Sequence, residues 1–183
     1  MEEIQGGVCA PKGFKANGIH CGIRKNKAKR DFALIVSEVR AAAAGVYTSN
    51  LVKGAPVVVT KKNLGDGYAQ AIICNSGNAN TCNANGIEIA EGMCALVENA
   101  GGISAKDVIV ASTGVIGQQL DLSPMRDHMQ ELWSGLGDNS NLAAEAIMTP
   151  DTVRKSVAVR FELIGKICKI GEIAKGDGMV CPN

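Results

Sequence analysis

The chain has 183 residues, 46% of them hydrophobic and only 3% aromatic, with 19 Lys plus Arg against 18 Asp plus Glu. That length suits one domain of ordinary size or a large piece of a longer protein, with a core built from Ala, Val, Ile and Leu. The balanced charge supplies no field of one sign, which argues against nucleic acid and against an anionic membrane surface as partners. Met1-Glu2-Glu3 is acidic with no apolar run behind it, so no signal peptide is read there. No apolar stretch is long enough to span a bilayer.

Seven cysteines, with no Cys-x-x-Cys and no Cys/His pair at zinc spacing, do not make a metal or disulfide framework. Cys9, Cys21, Cys74, Cys82, Cys94 and Cys168 are expected as small reduced residues in or near the core of a cytoplasmic protein. No bound cofactor and no metal is expected. His20 and His128 are the only histidines, so a catalytic His is poorly supplied, and both are read as surface or turn residues.

In chain order, the glycine-rich start up to Gly22 predicts irregular chain with short strands. Arg24, Lys25, Lys27, Lys29 and Arg30 form the one dense basic cluster, read first as a solvated loop and second as an anion-binding patch. Residues 32–39 are rich in β-formers and predict a buried strand. Residues 41–47 have helical propensity, but Gly45 and the following Val-Tyr-Thr favour a strand. The Val-rich run 56–60 predicts a third strand, 64–67 a turn, and 69–74 a fourth strand that runs into the polar loop Asn75-Ser76-Gly77-Asn78-Ala79-Asn80.

Ile89, Met93, Leu96 and Ala100 recur at helical spacing over 86–100, and Gly101-Gly102 ends that helix. Residues 108–110 predict a short strand leading into Ala111-Ser112-Thr113-Gly114. Ser123-Pro124 starts a helix, with Ser as N-cap and Pro at the first helical position. Asn141 is expected to cap another short helix through Met148. From 156 to 163 the period changes to two, with Val157, Val159, Phe161 and Leu163 on one face. Gly165-Lys166 then reads as a two-residue turn into a strand over 167–173. The whole is one α/β unit over 1–183, ending in a glycine-rich loop that by composition alone is a plain tail.

Five stretches, in order along nearly the whole chain, resemble the self-cleaving ornithine acetyltransferase family, the bifunctional glutamate N-acetyltransferases. They are Ala10-Pro11-Lys12-Gly13-Phe14 with Gly18-Ile19-His20; Asn75 to Asn80; Ala111-Ser112-Thr113-Gly114-Val115-Ile116-Gly117; Ala146 to Thr152; and Lys175-Gly176-Asp177-Gly178-Met179-Val180-Cys181-Pro182-Asn183. Asp177 stands where the family has a small residue, and Cys181 where it has His or Ala.

The resemblance implies a four-layer α-β-β-α sandwich of the N-terminal-nucleophile-like type. It also implies a precursor that cuts itself shortly after Asn183, ahead of a threonine that becomes the nucleophile of a β chain. This chain would then be the α chain of an α2β2 heterotetramer. The implied reaction is acetyl transfer from N2-acetylornithine to glutamate in arginine biosynthesis, with acetyl-CoA as a possible second donor.

By the family match the Thr113 hydroxyl and the Gly114 N–H form the oxyanion hole, while Thr149 and Lys175 contact substrate. Read on its own, Ser112-Thr113-Gly114 is an ST-turn closing a strand. Thr149 reads alone as a helix-end residue before Pro150, and Lys175 as a solvated charge. Two other functions stand beside this one: a self-cleaving aminopeptidase with the same oxyanion logic, and a non-catalytic small-molecule binding domain.

Overall fold

The computed structural model describes residues 1–176. The glycine-rich end expected to lead to the cleavage point, residues 177–183 with Cys181, lies outside the described residues. The fold is mixed α/β. A four-stranded sheet has the order β2-β3-β4-β5, from β2 (Phe14–Ile19), β3 (Phe32–Ala42), β4 (Tyr68–Asn78) and β5 (Val108–Val115). The first three strands run antiparallel; β4 and β5 are parallel and joined through helix α2 (Gly86–Gly101).

Helices α1 (Ala55–Asn63), α2 and α3 (Ser123–Ser134) cover one face of this sheet. Period two on the strands and 3.6 on the helices place Phe32, Leu34, Ile73, Val108, Met93, Val97 and Leu132 in one core with almost no exposed surface. The predicted α2 is found, and Gly102 caps it in the left-handed conformation, its N–H donating to the Glu98 carbonyl. Helix α4 (Ser140–Ala146) packs on the opposite face, but only at one end, where Ala143 and Ala146 meet Ala16, Ala33 and Cys74.

A second sheet has the order β1-β6-β7, from β1 (Glu2–Ile4), β6 (Lys155–Leu163) and β7 (Lys166–Ala174). The hairpin is present, but its turn is Ile164-Gly165, one residue earlier than expected, because Leu163 pairs with Lys166. Both turn residues have positive φ, 51° and 70°, as a tight primed turn demands. Val157, Val159, Phe161 and Leu163 do share a face, but not the buried one: Val157 is 41% and Leu163 57% exposed, while Ala158 on the opposite face is 2% exposed. That opposite face lies on the turn at residues 7–9, so close that a side chain on Gly171 would meet the Gly7 carbonyl at 1.9 Å.

Three other expectations are corrected. Residues 56–60 form α1 rather than a strand. Pro56 lacks an N–H and suits a first helical turn, and Val59 and Thr60 face the sheet while Val58 is 47% exposed. Residues 43–50 hold no strand; β3 ends at Ala42. The asparagine segment is not a loop through its length: β4 continues to Asn78. Helix starts also shift, since Leu122 rather than Ser123 caps α3, and Asn139 rather than Asn141 caps α4.

The cysteines divide. Cys21, Cys74 and Cys94 are buried, and burial pushes the Cys74 and Cys94 thiols up to about 12. Cys9 and Cys168 are half-buried, and Cys82 is exposed, against expectation. His128 belongs to α3, with its ring nitrogen 2.9 Å from the Pro124 carbonyl one turn earlier.

Candidate functional site

Ser112, Thr113 and Gly114 end β5, which is the edge strand of its sheet, so they are strand rather than an ST-turn. Thr60 on α1 donates its hydroxyl to the Val110 carbonyl at 2.7 Å and accepts the Val110 N–H at 2.9 Å. Val110 therefore turns its main chain away from β4. By the strand's period of two, the main chain of Ser112 faces that same open edge, and the regular alternation ends at Gly114.

Gly114 has φ +135°, and a side chain there would meet the Gly77 carbonyl carbon at 2.3 Å. The ladder to β4 is irregular at this point, with Asn78 opposite both Thr113 and Val115. Only glycine at 114 permits this close approach, while Gly77, at φ +107°, turns its own open side to Ile23 and Arg24. Asn75 and Ser76 hold the other side. Asn75 donates to the Asn78 carbonyl at 2.9 Å, and the fully buried Ser76 donates to the Ala146 carbonyl at 2.6 Å.

Two further segments arrive here. Lys175, just past β7, places its Nζ 2.8 Å from Thr113 Oγ1, across 62 residues of sequence. Thr149 follows α4, and its Oγ1 is buried without a hydrogen-bond partner among the described residues. Of the four expected site residues, the structure thus brings Thr113, Gly114 and Lys175 together directly. Thr149 joins them through a residue whose role the sequence did not disclose.

That residue is Asp151. The residue is 4% exposed, and its carboxylate accepts the Thr149 N–H at 3.0 Å, the Gly176 N–H at 2.7 Å and the Lys155 ammonium at 2.8 Å. Burial works to raise its pKa, but these three donors outweigh it and hold the carboxyl well below the usual carboxylate range. One charge thereby ties the Thr149 segment to the Lys175 segment. The only sequence signal was the place of Asp151 in the 146–152 stretch, two residues from Thr149.

The basic cluster is only partly a solvated loop. Arg24 is half-buried. Its stem would collide with any side chain on Gly77, and its guanidinium donates to the Met148 carbonyl. Arg30 pairs with Glu145 at 3.2 Å, while Lys25, Lys27 and Lys29 are exposed. A cavity of about 300 Å³, lined by Arg24, Lys29, Arg30, Glu145 and Asp151 among others, opens beside this contact. Among the described residues no three His, Cys, Asp or Glu side chains stand together as metal ligands.

A hydroxyl with an ammonium on it, next to a glycine in the chain, suits an oxyanion or a carboxylate. Comparison with known proteins bears on which chemistry this serves. A family model described as the ArgJ family matches residues 15–183. The chain belongs to the ArgJ family.

Within the family, the glutamate N-acetyltransferase of Methanocaldococcus jannaschii is 44% identical over all of this chain and 45% of its own length. The arginine biosynthesis bifunctional protein ArgJ of Gloeobacter violaceus is 49% identical over the whole chain and 46% of its own length. The chain thus spans a little under half the length of these relatives. A crystal structure of the ArgJ bifunctional protein from Bacillus halodurans superimposes with a TM-score of 0.92 at 37% identity, over 99% of this chain and 96% of that one. Ornithine acetyltransferase from Mycobacterium tuberculosis, solved in complex with ornithine, superimposes with a TM-score of 0.88 at 34% identity, over 99% and 97%. Among the described residues no helix is long and apolar enough to cross a membrane.

Proposed function

We propose that this chain is the α portion of an acetyltransferase that moves acetyl from N2-acetylornithine to glutamate. The nucleophile is a threonine at the start of a β portion released by cleavage shortly after this segment, with the whole acting as an α2β2 heterotetramer in the cytoplasm. The observation that carries the reading is the contact of Lys175 with Thr113, which gathers residues from β5 and the end of β7 around one point. Membership of the family and superposition over almost the full length of two solved chains support it.

An N-terminal threonine needs no histidine, because its α-amine, with a pKa near 7.7–8.0, accepts the hydroxyl proton. The threonine oxygen attacks the acetyl carbonyl carbon, and the carbonyl oxygen takes the negative charge. Collapse breaks the C–N bond, and the proton goes to the departing ornithine amine. Glutamate's amine then attacks the threonine ester, passes through a second oxyanion and leaves as N-acetylglutamate, restoring the hydroxyl. In both steps the Thr113 O–H and Gly114 N–H are the donors to the oxyanion. The ammonium of Lys175 and the Thr149 hydroxyl meet the substrate, the lysine at the carboxylate shared by acetylornithine and glutamate. Acetyl-CoA can enter the same first step as an alternative acetyl donor, and no resident cofactor takes part.

A partner is also what the sheet requires. The face of β2-β3-β4-β5 away from α1, α2 and α3 leaves Phe14, Ile35, Ile72 and Ile109 around an apolar hollow of about 120 Å³ that α4 does not line. A sheet from the β portion laid there would complete the four-layer sandwich.

The test is to supply the assembled enzyme with acetylornithine plus glutamate and, separately, with a peptide amide. Acetylglutamate is expected from the first and no cleavage of the second. Peptide hydrolysis without acetyl transfer would favour the aminopeptidase reading, and neither reaction would favour simple binding. Thr113→Ala is expected to lower kcat about a hundredfold with the fold retained.

A further inference from the structure

We infer that Lys175 has a second task in the site proposed above: besides meeting substrate, it turns the Thr113 hydroxyl into a fixed donor. This rests on Thr113 serving the oxyanion.

An ammonium has three N–H donors and no acceptor, whereas a hydroxyl has one proton and two lone pairs. At 2.8 Å between Lys175 Nζ and Thr113 Oγ1, the oxygen can only be accepting. One lone pair is thereby committed, and the hydroxyl proton is turned away from the lysine. Among the described residues that hydroxyl donates to no acceptor. The proton is left for a group arriving from outside the described residues, and an anionic oxygen is what such a donor fits. Accepting from a cation also makes the hydroxyl a stronger donor, since hydrogen bonds in a chain polarise one another. Among the described residues the ammonium's other two protons have no acceptor, which suits them to a substrate carboxylate, so the two tasks do not compete.

Both ends of the contact are held. Thr113 is β-branched, with few rotamers, and is pinned in the ladder opposite Ser76. Lys175 is held at its root, because the next residue, Gly176, donates its N–H to the buried Asp151 carboxylate at 2.7 Å. Asp151 also takes the Thr149 N–H, so the lysine and the neighbouring threonine are set from one anchor.

The consequence is a specific non-additivity. A lysine acting through Thr113 matters to turnover only while Thr113 is there to be oriented, but matters to substrate affinity either way. The experiment is a double-mutant cycle on the full-length, cleaved enzyme with Thr113→Ala, Lys175→Met and both, reading kcat and KM separately with acetylornithine and glutamate. Lys175→Met alone is expected to lower kcat about tenfold, the worth of one charge-assisted hydrogen bond, and to raise KM for both substrates. In the Thr113→Ala background it is expected to leave kcat unchanged within about twofold while still raising KM. An equal fall in kcat in both backgrounds, or no fall in either, overturns the inference and leaves Lys175 as a substrate contact only. Wild-type kcat in Thr113→Ala would instead remove the oxyanion reading, so the two failures are distinct. If Lys175→Met yields no cleaved enzyme, the cycle is read with Lys175→Arg, which keeps a cationic donor. It is expected to lower kcat less than tenfold with Thr113 present and not at all with Ala at that position; a loss in both backgrounds again overturns the inference.

Discussion

At Gly114 the backbone alone decides which residue can stand. A φ of +135° is strained for any L side chain, and the Gly77 carbonyl carbon would lie 2.3 Å from a Cβ. Neither the torsion nor the neighbour can give, because both belong to main chain in a paired strand. Gly114→Ala is expected to destabilise the fold by more than about 1 kcal/mol and to abolish turnover. Urea midpoints and an acetyl-transfer assay check both parts, and an active, fully stable variant would show that the bulge is soft. Asp151 is the other residue whose surroundings set its chemistry. Its folded pKa lies below that of an unfolded aspartate, so ionising it favours the folded state. That contribution is full above the unfolded value near 3.9 and is lost as pH falls below it towards the folded value. Asp151→Asn is therefore expected to lose less stability than the parent between pH 7 and pH 3, although it starts from a lower level. Parallel slopes in urea unfolding at the two pH values would rule this out.

Among the elements, α1 shows how a tertiary slot overrides a strand-like composition. Its Val-rich run predicts β, yet Pro56 opens a helix whose Thr60 serves both main-chain groups of Val110 on the open edge of β5. Thr60→Val keeps the shape but leaves a buried N–H and C=O without partners, at a cost of about 1–3 kcal/mol. The midpoint of chemical denaturation should drop accordingly; an unshifted midpoint would mean that water replaces the hydroxyl. The hairpin β6-β7 teaches the converse. Alternation correctly grouped Val157, Val159, Phe161 and Leu163, but which of two faces is buried depends on what lies beneath. Here it is the turn at 7–9, against which Ser156, Ala158 and Gly171 lie. The site's hub escaped the sequence for a similar reason. An aspartate next to Pro150 reads as an ordinary turn residue until the chain brings Gly176 and Lys155 onto it.

At the scale of the whole molecule, two apolar surfaces stand open. One is the part of the main sheet that α4 leaves bare, with Ile35, Ile72 and Ile109 around it; the other is the outer face of the hairpin, where Ile170 is 55% exposed. A polypeptide of residues 1–183 produced by itself is expected to self-associate or to bind a hydrophobic dye, and to stop doing so when co-produced with the β portion. Size-exclusion chromatography with dye fluorescence tests this, and a clean monomer that binds no dye would count against the proposed assembly.

The sequence by itself determined the mixed α/β class, most helix and strand positions and, through five ordered motifs, the family. These follow from short-range periodicity and from residue types that only certain backbones accept, both readable along a single chain. Tertiary structure alone decided that 56–60 is a helix, which hairpin face is buried, and that Asp151 binds Thr149 to Lys175. The first and third depend on groups 25 or more residues apart meeting at hydrogen-bond distance, as Thr60 meets Val110 and Gly176 meets Asp151, and the second on Gly171 packing against Gly7. Local pattern carries no record of such encounters, because their free energy arises only when the distant partner is already in place.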